Sequence, residues 1–232
     1  VATEQDYISM LKTFFENETP RMKATGEGGH AVHNANPEYW SILLGPLKVG
    51  DWSEKNTLDF GCGCGRNVLN ILNTFKVKEA HGCDVSSNNI IACKELMVDK
   101  GFANSDFFTN EANSLSPLES DKYDFIMSTV VLQHIPCHSI RKSIMTDMYR
   151  VMKEGGILSF QMGFGDGHRN AAEYYDNVYD ALSTNSAHDV RVTAPEQLVN
   201  DLTEIGFKDI QTTITGSWSD DHNQWIYVKC VK

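Results

Sequence analysis

Thr57-Leu58-Asp59-Phe60-Gly61-Cys62-Gly63-Cys64-Gly65-Arg66 is a short apolar strand that runs into a turn built on alternate glycines. It decides the fold, because a strand ending in glycines and followed by a helical pattern is the first unit of an open α/β sheet. The helix follows at once: from Arg66 to Phe75, Val68, Leu69, Ile71 and Leu72 share one side. Glu79-Ala80-His81-Gly82-Cys83-Asp84-Val85 is a second strand, and Ser86 is placed to cap a helix carrying Ile90, Ile91, Cys93, Leu96 and Met97. Residues 105–109 read as a third strand and Tyr123-Asp124-Phe125-Ile126-Met127-Ser128 as a fourth. A helix over about residues 139–152 is expected to end at Gly155-Gly156, ahead of a fifth strand at Ile157-Leu158-Ser159-Phe160-Gln161-Met162.

Working outward, residues 195–205 read as a helix opened by Pro195 and closed by Gly206. Residues 207–215 and 224–231 alternate as strands, and their turn-rich link predicts an antiparallel pair. The expectation is a Rossmann-like α/β fold: a seven-stranded, mostly parallel sheet with helices on both faces and an antiparallel last strand. Residues 1–50 read as an N-terminal helical cap, in which Tyr7, Met10, Leu11, Phe14 and Phe15 recur at helical spacing until Pro20 and the glycines at 26–29 break it. Pro37 then opens a second short helix. Residues 51–232 form the main domain, with an irregular substrate-side insert at about 163–194.

The chain has 232 residues, 41% of them hydrophobic and 22% charged, enough for one domain with a sizeable core. Its formal net charge of -11 argues against nucleic acid as a partner, because phosphate contacts supply most of that affinity. The longest basic candidates, Lys76 with Lys78 and Arg141 with Lys142, are short. No apolar run reaches the length of a membrane span, and no signal-peptide pattern is visible. Six cysteines without a C-x-x-C pair predict a reduced, cytoplasmic protein with no metal site. Nothing in the sequence speaks to oligomeric state.

Alternate glycines let the backbone approach a ligand, but they serve several kinds of ligand equally well. The spacing here is not G-x-G-x-x-G, since the third glycine position counted from Gly63 is Val68, and no phosphate-loop lysine follows. Asp59 before the glycines suits an ammonium better than a pyrophosphate, and Asp84 ends the second strand where a carboxylate can accept ribose hydroxyls. Leu58 to Arg66 resembles the first motif of the class I S-adenosylmethionine-dependent methyltransferases. Asp84, Asn110-Glu111-Ala112, the strand Lys122 to Ser128, Leu132-Gln133-His134-Ile135-Pro136 and Lys153 to Leu158 are similar, in order, to that family's later motifs. The resemblance covers about residues 55–162. It departs at Cys62 and Cys64, where Ala, Thr or Ser is commoner, and at Glu111, where Asp is commoner.

The resemblance implies S-adenosylmethionine as cofactor. Gly61, Cys62 and Gly63 would hold the methionine moiety, with Asp59 near its ammonium. Asp84 and Val85 would meet the ribose end, and Glu111 and Ala112 would flank the adenine. Ser128 would offer its backbone near the sulfonium. Arg66 would meet the cofactor carboxylate or hold a surface position at the helix start. Methyl transfer to a hydroxyl or ammonium also needs a proton removed, and His134 is the first candidate base, ahead of His168 and His222. Tyr39, His168, Tyr174, Tyr175 and His222, in the cap, the insert and the last link, are the substrate-binding candidates. Aromatics and histidines there suit a small polar molecule methylated on O or N. The alternatives are a protein or RNA methyltransferase, a nucleotide-binding oxidoreductase and a non-catalytic adenosylmethionine-binding subunit.

Overall fold

The computed structural model describes residues 1–24, 37–165, 171–184, 189–217 and 222–232. In chain order, α1 (Glu4–Ala24) and α2 (Pro37–Leu43) precede the sheet. Then come β1 (Asn56–Phe60), α3 (Arg66–Thr74), β2 (Glu79–Asp84), α4 (Ser87–Lys100), β3 (Ser105–Thr109), β4 (Tyr123–Thr129), α5 (His138–Val151) and β5 (Met152–Phe164). The remainder is β6 (Ala172–Glu173), α6 (Ala181–Thr184), β7 (Val190–Arg191), α7 (Pro195–Ile205), β8 (Lys208–Gly216) and β9 (Gln224–Val231).

β1 is buried along its whole length, as a central parallel strand covered on both faces must be. The seven-stranded sheet has the order β3-β2-β1-β4-β5-β9-β8, and β9 runs antiparallel to both of its neighbours. Strand alternation sorts the side chains into two cores. Leu58, Ile126, Leu158 and Phe160 pack with Tyr7 and Leu11 of α1, Ile144 of α5 and Leu202 of α7. Phe125, Met127, Trp225 and Tyr227 pack on the other face with Leu43 of α2, Val68 of α3 and Cys93 of α4. The expected sheet, its antiparallel strand and the helices on both faces are all present. Among the described residues no helix is long and apolar enough to cross a membrane.

Ser86 caps α4 by accepting from the Asn89 amide at 3.2 Å, and Gly206 ends α7 at φ +117°. Three expectations need correcting. Pro20 does not end α1, which continues to Ala24. A proline inside a helix leaves the carbonyl four residues earlier without its amide donor. That carbonyl belongs to Glu16, and the Asn88 side-chain amide donates to it at 3.3 Å, so the missing bond is replaced from α4. Second, α5 stops at Val151 rather than at the glycines. Gly155-Gly156 instead lie in the bulged start of β5, between the pairings Tyr123 with Met152 and Phe125 with Ile157. Third, the insert is not wholly irregular: β6 and β7 pair in parallel as a separate piece, and α6 lies between them.

Candidate active site

The chain turns from β1 outward to β2 and β3, then returns to β4 on the other side of β1. Such a switch point opens a crevice beyond the carboxyl ends of the strands. A cavity of about 590 Å³ lies there, lined from four directions. The glycine loop gives Gly61, Cys62 and Gly63; the ends of β2 and β3 give Asp84, Val85, Asn110 and Ala112. The turn after β4 gives Thr129, Val130, Val131, Gln133 and His134, and α1 gives Leu11, Phe14, Phe15, Glu18, Arg21 and Met22. Its volume is that of a small-molecule site.

The loop is held from behind. The Gly61 and Cys62 amides both donate to the Cys83 carbonyl, at 2.8 and 3.0 Å. Gly61 and Gly63 have φ of +70° and +52°, and a Cβ on Gly63 would stand 2.5 Å from the Met22 methyl. Glycine there gives both the left-handed turn and the close approach of α1. The Cys62 thiol lies 3.8 Å from that of Cys93, and burial raises its pKa well above the usual thiol range. Asp84 accepts from the Gly63 amide at 2.9 Å with one oxygen, and from the Ser86 amide and Asn89 side chain at 2.9 and 3.1 Å with the other. Burial raises its pKa even so.

Asp59 is fully buried one layer behind the lining. One of its oxygens accepts from Asn67 at 3.0 Å, and Oδ2 has no hydrogen-bond partner among the described residues. Burial pushes its pKa up to about 7, against the opposing effects of Asn67 and Arg66. Asn67 and Arg66 both donate to the Thr129 hydroxyl, at 3.2 and 3.3 Å, so α3 is tied to the end of β4. Arg66 is buried against this network and lines the cavity, which rules out the surface role left open for it. Ser128 is also buried, and its hydroxyl donates to the Phe60 carbonyl. The residues after it reach the cavity instead. Val130 takes φ +57°, a costly conformation for a β-branched residue, and its amide donates to Gln161 at 3.1 Å.

The third-strand segment meets the cavity through Asn110 and Ala112 rather than through Glu111. Glu111 points to solvent with a side chain 60% exposed, pairs with Lys12 at 3.8 Å and does not line the cavity. Asn110 does line it; its Nδ2 donates to the Glu111 and Ser114 carbonyls, and its buried Oδ1 has no partner among the described residues.

Across the cavity His134 and Asp189 line the wall, with His134 Nδ1 and Asp189 Oδ1 2.6 Å apart. Asp189 Oδ2 lies 3.2 Å from His222 Nε2. Burial pulls the Asp189 pKa up, but the bonds from His134 and His222 outweigh it and hold the carboxyl well below its usual range. His222 is buried behind Asp189 rather than on the cavity surface. Tyr174 and Tyr175 do not line the cavity. Tyr174 is a core residue whose hydroxyl donates to Asp201 at 2.7 Å, and Tyr175 is exposed beside His138. His138 at the start of α5 and Tyr174 of the insert share that buried aspartate, which draws the tyrosine inward. The side chain of Tyr39, and all of His168, lie outside the described residues.

α1 is fastened over the cavity by Glu16, whose carboxylate accepts from the Ser87 and Asn88 amides at the start of α4, at 2.7 and 3.0 Å, and from the Ser86 and Ser87 hydroxyls. Its desolvation raises the pKa, and these bonds more than offset it, leaving it lowered. Asn67, Asn110, Asp189 and Glu16 were not singled out from the sequence. Asn110 had a signal, one place before the acid chosen; the other three carry none, because their partners are distant in the chain or in a different motif.

The family model described as a methyltransferase domain matches residues 57–156. No curated protein matches the chain by sequence. Among solved structures, phosphoethanolamine N-methyltransferase 2 of Haemonchus contortus, in complex with phosphomonomethylethanolamine and S-adenosylhomocysteine, superposes with a TM-score of 0.62 at 18% identity, over 82% of this chain and 52% of that one. This chain therefore spans about half the length of that relative. A putative methyltransferase of Haloferax volcanii, in complex with the Trm112 methyltransferase activator, superposes with a TM-score of 0.67 at 12% identity over 94% and 96% of the two chains. The [4+2]-cyclase SpnF gives 0.64 at 16% identity over 84% and 80%. At these identities the superpositions establish the fold, and residues 57–156 match the methyltransferase-domain model.

Proposed function

We propose that the chain is an S-adenosylmethionine-dependent methyltransferase acting on an O or N atom of a small polar molecule. The observation that carries this reading is one cavity with two differently equipped walls. The glycine loop, Asp84 and Asn110 face it from one side, and His134 with Asp189 from the other.

The first wall fits the cofactor on its own chemistry. Asp84 is a carboxylate placed to accept hydroxyls, Asn110 brings a side-chain amide to the adenine end, with a buried Oδ1 that has no partner among the described residues, and Ala112 and Val85 are apolar flanks. Gly61, Cys62 and Gly63 would take the methionine end, with Arg66 toward its carboxylate. Asp59, whose buried Oδ2 has no partner among the described residues, lies behind the loop. Asn110 takes the place expected of Glu111, and the cavity-lining Thr129 to Val131 segment takes that expected of Ser128. When bound, S-adenosylmethionine supplies a methyl group on a sulfonium sulfur, which keeps the bonding electron pair as the methyl passes to a nucleophile.

The chain's own work is alignment, exclusion of water and removal of a proton. α1 covers the site with Leu11, Phe14, Phe15 and Met22. His134 accepts the proton that the acceptor's hydroxyl or amine loses. A small acceptor is favoured over a protein or RNA because the site is roofed by α1 and the net charge is -11. The fold alone does not choose the reaction, since a cyclase shares it. The test is a transfer assay with methyl-labelled S-adenosylmethionine across hydroxylated and amine metabolites, read by product mass. A labelled small product is expected. Label found only in protein or RNA substrates, or in no acceptor at all, would overturn the small-molecule reading.

A further inference from the structure

Asp189 sits 55 residues beyond His134 and 33 before His222, yet touches both rings. A carboxylate only accepts hydrogen bonds, so His134 Nδ1 and His222 Nε2 must both carry hydrogen. A neutral His134 so bound has its lone pair on Nε2, the atom that accepts a proton. We propose that Asp189 and His222 are positioning residues: Asp189 fixes the tautomer and orientation of His134, and His222 fixes Asp189. This rests on the reading of His134 as the group that deprotonates the acceptor.

The backbone supports the arrangement from every side. The Asp189 carbonyl accepts from the Ala172 amide at 2.7 Å, and the Val192 carbonyl accepts from the Gly165 amide at 2.8 Å, so the segment is clamped to β6 and to the residue after β5. The His222 ring lies flat against Gly163, where a Cβ would come within 2.3 Å of three ring atoms. The Gly163 amide in turn donates to Gln133 at 2.8 Å, next to His134 in the turn after β4. One glycine therefore sets the spacing between the ring of His222 and the turn that carries His134. Asp189 is ionised in this setting, because the bonds from the two histidines outweigh the effect of burial.

The proton balance is simple. The proton leaving the acceptor passes to His134 Nε2, and the resulting imidazolium, with hydrogen on both nitrogens, stands against the Asp189 carboxylate. His222 stays a donor through Nε2 before and after, and no further proton has to move for the charge to be matched. Without Asp189, the neutral ring is free to hold its hydrogen on Nε2, which is then no base.

Nitrogen-15 NMR of the histidine rings in the full chain reads this directly and needs no acceptor. In the wild type His134 is expected as the Nδ1–H tautomer, and in D189N as a mixture or as Nε2–H. With an acceptor found in the mass screen, D189N is expected to lower kcat by about 10²–10⁴, the range of a lost general base, while S-adenosylhomocysteine affinity holds. A second arm compares a conservative and a disruptive variant of His222, which is buried as Asp189 is. H222Q keeps a donor near the Nε2 position and should keep the His134 tautomer and most of kcat, whereas H222L should lose both. A wild-type His134 in the Nε2–H form, a tautomer unchanged in D189N, or equal behaviour of H222Q and H222L would overturn the positioning role. If the tautomer responds as expected but H134A turns over at the full rate, the base reading is what fails, and the proposal falls with it.

Discussion

Asp84 takes the Ser86 amide from two residues away, Asn89 from five and Gly63 from the neighbouring strand's turn. His134 finds Asp189 at 55 residues and is linked through it to His222. The glycine-loop wall of the cavity is thus assembled by local turns at the ends of adjacent parallel strands, whereas the histidine wall is assembled by the insert folding back on β5 and β9. The first kind of wall repeats wherever this sheet is built. The second depends on what has been inserted, and it is where members of one fold differ.

The histidine wall gives the largest expected effect. His134→Ala should lower kcat by about 10²–10⁴, with S-adenosylhomocysteine affinity changed less than about twofold. Full retained turnover would break the division of labour between the two walls. On the other wall, Asp84→Ala should weaken S-adenosylhomocysteine binding by about 10–100-fold in a calorimetric titration, the value of hydrogen bonds to a charged acceptor. Unchanged affinity there would mean that the glycine-loop wall is not the cofactor side.

A pair of variants sharpens the boundary at β3. Asn110→Ala should weaken binding about fivefold, one ordinary hydrogen bond, and Glu111→Ala should leave it as it was. The reverse result would restore the assignment made from sequence. That one-residue difference shows what a motif contains. Asn110-Glu111-Ala112 marks the segment, but which side chain turns inward depends on where β3 stops pairing, and β3 ends at Thr109. Asp84 was legible because a buried acid at the end of a strand has one direction to face. Val130 at φ +57° and the tie from Gln133 to Gly163 are products of packing between β4 and β5, and neither leaves a pattern in the residues themselves. Tyr174 shows the opposite error: an aromatic in a polar insert reads as a binding residue, but the buried Asp201 gives its hydroxyl a partner inside the core.

The smallest effect concerns the roof over both walls. Pro20 reads as a helix breaker until Asn88 is seen donating to the Glu16 carbonyl, and the same residue anchors α1 through its carboxylate. Glu16→Gln should lower the melting temperature by on the order of 1–3 °C at neutral pH, the scale of an anion at a helix N-terminus. The sign with pH follows from its lowered pKa: the contribution is complete above the ordinary glutamate range and is lost as pH falls through the folded-state value. The wild type and Glu16→Gln should therefore converge in stability in acid. A gap that stays constant with pH would show that the carboxylate's charge does not hold α1.

The central claim is that the glycine-loop wall takes an adenosyl cofactor. Titrating the purified chain by calorimetry with S-adenosylhomocysteine and, in parallel, with NAD tests it most directly. The account predicts micromolar binding of S-adenosylhomocysteine and none of NAD. Micromolar binding of NAD with no heat from S-adenosylhomocysteine would contradict it.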